Sequence, residues 1–340
     1  MAYTVPNSVN GAVTPMTLRL GLLSTARINE EILQGAAPSD AVEVVAVGSR
    51  DRPRAEEYAR QKGIPRAHGS YEELLADPRV DAIYNSLPNS MHVPWTLRAL
   101  EEGKHVLCEK PMDRRPAEVE RAFDAADAAG LIVMEAFMYR HHPQTKKLRE
   151  LVAGGSIGDV LRIRSHFTFV LEDESDLRMR PELDGGSLMD LGCYCVSGSR
   201  LIAGEPESVE GSQVLTRTGV DGRFSGKLNF AGGILAEFDC GFDAPRSSRL
   251  EIEGTDGTAL VRDPWGCSEH AIELRRNCKT ARVEVEDVDR YRLQLENFAG
   301  AIAGTAEPLL RRADALGQAR TIEALYRSAE IGAPVAPVSA

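Results

Sequence analysis

The sequence predicts an α/β chain in two parts: a doubly wound parallel sheet, then an α+β domain with a large, mainly antiparallel sheet. Three observations predict it. Over roughly the first 135 residues, short apolar runs alternate with amphipathic stretches, the pattern of a βαβ sheet. Glycines close several of those stretches, as left-handed helix ends do. Past residue 155 the segments alternate or are rich in β-branched and aromatic residues, with turn residues between them. A chain of 340 residues also exceeds what one core comfortably serves.

In the first part, strands are expected at residues 18–23, 42–47, 82–86, 105–108 and 131–135. Helices are expected between them at 28–37, 54–62, 71–76, 92–102 and 117–129, with Gly63, Gly103 and Gly130 ending three of them. Pro53 and Pro116 sit near helix starts, where a missing N–H does no harm. In the second part, strands are expected at 160–170, 222–230, 233–242, 249–254 and 258–261, with turn glycines at 222, 232, 233 and 257. Helices at 186–203, 291–303 and 313–331 would cover one sheet face. The divisions are an arm over 1–17, a first domain over 18–140 and a second over 141–335, whose last helix packs back on the first.

Composition excludes several classes. With 43% hydrophobic and 27% charged residues the chain reads as soluble and globular. No apolar run approaches the ~20 residues of a membrane span, and the opening segment lacks the order of a signal peptide. A cytoplasmic protein is expected. The net charge of −11 disfavours nucleic acid and anionic membranes. The basic cluster from Arg50 to Arg54 is short and reads as a solvated helix face. Six cysteines, at 108, 193, 195, 240, 267 and 278, form no Cys-x-x-Cys and complete no zinc spacing. Reduced thiols and no metal are expected.

The turn after the first strand reads Ser24-Thr25-Ala26-Arg27-Ile28-Asn29, where a dinucleotide fold carries G-x-G-x-x-G. All three glycines are replaced, so the motif alone does not make a nucleotide site. Ala26 is small enough for close backbone approach, and Ser24 and Thr25 add hydroxyl donors. The second strand ends on Ser49 and Arg50, where NAD-preferring folds place an acid for the ribose. A hydroxyl and a guanidinium suit a 2′-phosphate, so charge matching favours NADP over NAD. The alternative leaves Arg50 solvated, with Asp51 on the ribose.

Ser86-Leu87-Pro88-Asn89 follows the next strand, His92 opens the helix after it, and the strand at 105–108 runs into Glu109-Lys110-Pro111. Ligands bind beyond the carboxyl ends of parallel strands, so both loops face one crevice. Lys110 there suits polarising a substrate oxygen.

The order of strand, Glu-Lys-Pro and second α+β domain resembles the Gfo/Idh/MocA family of oxidoreductases. The words that carry it are Ser86-Leu87-Pro88-Asn89-Ser90-Met91-His92, Gly103 through Pro111, and Gly185-Gly186-Ser187-Leu188-Met189-Asp190-Leu191-Gly192-Cys193-Tyr194. Ser24 through Ile28, Glu135-Ala136-Phe137-Met138-Tyr139-Arg140 and Gly192-Cys193-Tyr194 resemble the branch of NADP-dependent D-xylose and dimeric dihydrodiol dehydrogenases. Many members carry Asp-x-Gly-x-His; here Tyr194 stands in the histidine's place.

The resemblance implies a Rossmann first domain and hydride transfer between NADP, or NAD, and a C–OH of an aldose such as xylose or a cyclic trans-diol. Tyr194 would exchange the proton, its pKa lowered by the Lys110 ammonium. Lys110 would polarise the oxygen, and Asp190, four residues before Tyr194, would orient the pair. The cofactor would meet Ser24, Thr25, Ala26, Arg27, Ile28, Ser49, Arg50, Ser86, Leu87, Pro88, Asn89, His92, Glu109, Lys110, Arg140 and Tyr291. Phe167 and Phe169 alternate on a strand and read as sheet-face packing, or else as an apolar wall on the substrate side, with Trp265 as a lid or, preferably, a packed turn. His141 and His142 read as partly solvated loop residues. A homodimer or homotetramer through the second sheet is also implied. Rival readings are a non-catalytic NADP-binding regulator, against which Lys110, Asp190 and Tyr194 argue, and a ketoreductase for nucleotide-linked sugars, which lacks an obvious second basic pocket.

Overall fold

The computed structural model describes residues 17–337; the expected arm over 1–17 lies almost wholly outside them. The first sheet holds β1 (Leu18–Leu23), β2 (Val42–Gly48), β3 (Arg66–His68), β4 (Ala82–Asn85), β5 (His105–Cys108) and β6 (Val133–Glu135). Their order is β3-β2-β1-β4-β5-β6, all pairs parallel. Leu20, Leu22, Ile83, Val106 and Leu107 are buried, because crossover helices cover both faces and leave no polar side. Those helices are α1 (Asn29–Ala36), α2 (Arg52–Lys62), α3 (Tyr71–Leu75), α4 (His92–Glu101) and α5 (Pro116–Ala129). Gly63 and Gly130 take the left-handed conformation that ends α2 and α5.

The short strand β3 escaped sequence reasoning: its residues Arg66, Ala67 and His68 are only partly buried at the sheet edge. So did α6 (Pro143–Ala153), whose start is capped by His142 accepting from the Gln144 N–H at 3.1 Å.

The second sheet runs β14-β13-β12-β11-β7-β10-β9-β8. It comprises β7 (Val160–Val170), β8 (Pro206–Leu215), β9 (Asp221–Phe230), β10 (Leu235–Gly241), β11 (Asp243–Gly254), β12 (Thr258–Arg262), β13 (Ala271–Arg276) and β14 (Lys279–Glu284). Only β7 and β10 pair in parallel. Three of these strands were missed. β8 and β14 are polar edge strands with little buried alternation, and β13 is half exposed. Gly222 lies inside β9 rather than in a turn.

One face of this sheet is covered by α7 (Cys193–Ala203) and, over β8, by α9 (Arg312–Ile331). The N-terminal part of α9 also packs on α5, where Ala315, Leu316 and Ala319 join the core of the first sheet. α8 (Arg290–Ile302) lies against α1. A Cβ on Gly35 would stand 2.7 Å from the Arg292 N, so the helices meet this closely only over glycine. This contact seats Tyr291 at the mouth of the first sheet. Among the described residues no helix is long and apolar enough to cross a membrane. All six cysteines are unpaired.

Candidate active site

A cleft of about 1100 Å³ runs between the carboxyl ends of the first sheet and the covered face of the second. Drug-sized pockets reach roughly 1000 Å³, so this one has room for a dinucleotide and a small substrate.

At one end lies the turn from β1 to α1. Ser24 sits at φ 134°, a region normally left to glycine, and its hydroxyl accepts from the Ala26 N–H at 3.1 Å. The Ser24 and Ser86 hydroxyls are 2.9 Å apart, tying the turn to the end of β4. Asn29, in place of the third glycine, is buried and donates to the Ser24 carbonyl at 2.8 Å. The tight turn therefore survives without glycine because side chains hold it. No side chain caps the N-terminus of α1, and Thr25, Ala26, Arg27 and Ile28 line the cleft. Such a helix end suits an anion.

Arg54 donates to the Thr25 hydroxyl at 2.8 Å and lines the same end with Arg27. Neither guanidinium meets a carboxylate within ion-pair distance among the described residues. The expected pair Ser49 and Arg50 does not line the cleft: Ser49 is buried, and the Arg50 charge lies beside the Tyr71 hydroxyl. Asp51 is no free ribose ligand either, since it caps α2 by accepting from the Arg54 N–H at 2.8 Å. Of the residues from Arg50 to Arg54, the cation that reaches the cleft is thus Arg54. It belonged to a cluster legible in the sequence, but α2 begins at Arg52 and turns Arg54 inward. With an open helix end and two guanidinia that meet no carboxylate, these residues fit a phosphorylated dinucleotide.

Ser86, Leu87, Pro88, Asn89, His92, Glu109, Lys110 and Tyr291 all line the middle of the cleft. The His92 ring nitrogens lie 2.9 Å from the Pro111 carbonyl and 2.7 Å from that of Leu87; a neutral ring donates to one of them. Burial pushes its pKa down, so His92 braces the two loops as a neutral group. The Lys110–Pro111 peptide is cis. Burial pushes the Glu109 carboxyl up, and it accepts from the Tyr84 hydroxyl.

At the second-domain end, Lys110 Nζ donates to the Asp190 carbonyl at 2.8 Å and lies 3.2 Å from its carboxylate. Burial opposes the ammonium, but the Asp190 carboxylate, with Glu109 beyond it, outweighs it and holds Lys110 charged. Asp190 is also gripped by Arg178 Nε at 2.7 Å, a residue on an irregular segment with no sequence signal. Asp184 of that segment reaches the first domain, its carbonyl accepting from Asn89 at 2.8 Å and its carboxylate 3.2 Å from Arg114.

Tyr194 departs from expectation. Lys110 Nζ sits 4.7 Å from the centre of its ring, over the face, while the hydroxyl is 3.7 Å from Met138 Sδ. Burial, with Tyr291 and Glu109 nearby, raises the phenol well above its usual value. Desolvation of a phenolate outweighs an ammonium aimed at the ring face, so Tyr194 is a neutral phenol here. Asp190 and Tyr194 do share the cleft, but through a π-helical turn over Leu188–Gly192 that precedes α7. A Cβ on Gly192 would meet Cys240 Sγ and Leu188 Cδ1, each at 2.8 Å. Gly192→Ala is therefore expected to cost about 1–3 kcal/mol of stability, read as a lower urea midpoint.

Phe167 and Phe169 line the cleft, Phe167 edge-on to Tyr194 with centroids 5.6 Å apart. Two expectations fail, those for Arg140 and for the histidine pair. Arg140 is buried away from the cleft, 3.2 Å from the Ser197 hydroxyl and 3.0 Å from the Asp314 carboxylate. A guanidinium so deep needs those partners. Trp265, 1% exposed, stands edge-on to Tyr139 and tilted against Tyr194, which makes it a packed turn and no lid. His141 and His142 are buried, at 2% and 1% exposure, and burial lowers both to about 4. Residues that sequence reasoning left out of the cleft include Arg54, Tyr58, Met138, Arg178 and Arg246.

Two family models match. Residues 20–137 match an oxidoreductase family with an NAD-binding Rossmann fold, and residues 145–260 match the GFO/IDH/MocA C-terminal domain. The chain is 40% identical over 323 residues to D-xylose 1-dehydrogenase (NADP(+)) 2 of Haloferax volcanii, covering 94% of this chain and 99% of that protein. It is 36% identical to the mouse trans-1,2-dihydrobenzene-1,2-diol dehydrogenase over 77% of this chain and 79% of the other. Among solved structures, aldose-aldose oxidoreductase from Caulobacter crescentus, complexed with glycerol, superposes with a TM-score of 0.88 at 27% identity, covering 94% of this chain and all (100%) of that one. A 3-ketoreductase from Actinomadura kijaniata, in complex with NADP and TDP-benzene, gives 0.87 at 27%, with 92% and 98% covered. The chain belongs to the Gfo/Idh/MocA family of oxidoreductases.

Proposed function

We propose that the protein transfers hydride between NADP and a C–OH/C=O of a sugar or cyclic polyol, with an aldose as the first substrate and a trans-diol as the second. The observation that carries this is the Lys110 ammonium, 3.2 Å from Asp190 and stacked on Tyr194, facing a cleft whose other end suits a phosphorylated dinucleotide. NADP, when bound, supplies the hydride acceptor. Lys110 polarises the substrate oxygen through its ammonium, and Asp190 holds that ammonium in place. Tyr194, held as a phenol, gives its proton to the oxygen in reduction and is left as phenolate; in oxidation the alcohol proton passes to that phenolate, so Tyr194 must first lose its own proton to solvent. Alcohol oxidation therefore quickens as pH rises, and carbonyl reduction is favoured as it falls.

The NADP reading is supported by Arg27 and Arg54 beside the open end of α1, and by the NADP named for the Haloferax volcanii relative. Arg54→Ala is expected to raise KM for NADP about tenfold or more while changing NAD little, since guanidinium–phosphate pairs are strong and charge-specific. Steady-state kinetics with both cofactors checks this.

Residues 18–140 act in this reading as the nucleotide domain and 141–335 as the substrate domain. The open face of the second sheet is its surface for a second copy, and the compartment is cytoplasmic, in keeping with six unpaired thiols. The deciding experiment follows absorbance at the nicotinamide band across aldoses and diols, with NADP and NAD in parallel. Turnover of a sugar or diol is expected. Silence on every substrate with NADP bound would instead make the protein a non-catalytic regulator.

A further inference from the structure

The reaction scheme leaves two arginines of the substrate end unused. Arg178 stacks toward Phe169, its guanidinium carbon 6.0 Å from the ring centre, while gripping Asp190 and lying 3.2 Å from Asp176. Arg246 approaches from the opposite strand. The pairing of β11 with β7 breaks between Asp243, opposite Val170, and Ser247, opposite Thr168. Residues 244–246 bulge outward there, fixed by the Thr168 hydroxyl donating to the Pro245 carbonyl at 2.8 Å. A bulge re-aims the side chains it carries, and this one brings Arg246 into the cleft wall with Phe167 and Phe169.

The carboxylates of the cleft's substrate end, and Asp263 behind it, are already engaged. Asp190 serves Lys110 and Arg178, and Asp176 serves Arg178. Glu109 accepts from Tyr84 and from the Lys110 N–H. Asp263, which feels the Arg246 charge, is taken by Ser248, Ser268 and the Gly266 N–H. Arg246 itself has no ion-pair partner among the described residues. Elsewhere on the same sheet Arg162, Arg164, Arg223, Arg249 and Arg262 each meet a carboxylate. Arg27 and Arg54 are also unpaired, but they stand at the nucleotide end; at the substrate end the unpaired guanidinium on the cleft wall is that of Arg246.

We propose that Arg246, with Arg178 across Phe169, forms an anion subsite, and that the substrate is a sugar or polyol bearing a carboxylate or a phosphate. The anion seats on Arg246, Phe167 and Phe169 flank the carbon chain, and the reacting C–OH lies at Lys110 and Tyr194. The substrate class rests on the oxidoreductase reading above; the subsite itself does not.

Calorimetric titration of the NADP-loaded protein with D-gluconate, D-glucitol 6-phosphate and neutral D-glucitol reads the subsite without turnover. At least one anion is expected to bind about tenfold tighter than D-glucitol, with the gap narrowing in salt. Tighter binding of gluconate names a sugar acid, and tighter binding of the phosphate a sugar phosphate. Arg246→Gln should abolish the gap and Arg246→Glu invert it, with unfolding temperatures confirming that both variants fold. Equal affinities, no binding of any of the three, or an anion preference that survives in Arg246→Glu overturns the proposal. In parallel, kcat/KM is compared for D-glucose, D-glucuronate and D-glucose 6-phosphate. Anion-selective binding with no turnover of any sugar overturns the reaction and leaves the subsite standing. Turnover without anion preference overturns the subsite alone.

Discussion

Replacing Lys110 with Met is expected to lower kcat/KM for sugar oxidation by about three orders of magnitude while NADP still binds. The ammonium is buried, charged and fixed on Asp190, so it meets the substrate oxygen without reorganising. Removing one such preorganised donor costs about 10²–10³ in rate, and loss of positioned acid–base help adds to it. The substitution also leaves Asp190 with Arg178 alone, so unfolding temperature is measured beside activity. Tyr194→Phe tests the other half, and its loss should be smaller in binding than in turnover, because ring packing against Phe167 and Trp265 is kept. Steady-state kinetics, with cofactor titrated by fluorescence quenching, decides the matter. Wild-type rates in both variants with NADP bound would sink the mechanism.

The second large effect concerns stability and pH. Glu135 ends β6 and is 1% exposed. One carboxyl oxygen accepts from the Met112 N–H at 2.8 Å, and the other has no partner. Burial dominates and pushes the group up to about 8. The folded-state value thus lies above the ordinary carboxylate range near ~4.3. Between these values the native protein keeps a proton that the unfolded chain releases, so stability falls as pH rises. It is greatest below the unfolded value and levels off above pH 8. The total loss is on the order of a few kcal/mol, since each tenfold gain in proton affinity on folding is worth about 1.4 kcal/mol. Glu135→Gln keeps the acceptor for Met112 and removes the titration, so its urea-derived stability should change less between pH 5 and 8. Parallel profiles for variant and wild type would show that Glu135 ionises normally.

The parallel sheet was legible because its buried strands are continuous apolar runs and its helices carry glycine and proline punctuation. β1, β5 and β7 have the residues expected of them. The missed strands are those where pattern carries least: β3, β8 and β14 lie at sheet edges, where few residues are buried, and β13, beside β14, is half exposed. In the cleft, Glu109, Lys110, Asp190 and Tyr194 were readable as words at the ends of predicted elements. Arg178 and Arg246 were not, since one stands on an irregular segment and the other in a bulge, and neither has a periodic signature.

The sequence by itself determined the two-part α/β architecture, the loops at the ends of β4 and β5 as the working edge, and the replacement of a histidine by Tyr194. Local propensity and hydrophobic period suffice for the architecture, because they depend on near neighbours; the working edge follows from where parallel strands end, and the place of Tyr194 from the family resemblance. Only the tertiary structure decided which charges face the cleft and in what state. Arg54 displaced Arg50, Arg140 turned away to Asp314, and Lys110 settled over the Tyr194 ring rather than on its hydroxyl. These depend on burial and on partners far apart in the chain, and a pKa follows desolvation and charge in space, which spacing along the sequence does not encode.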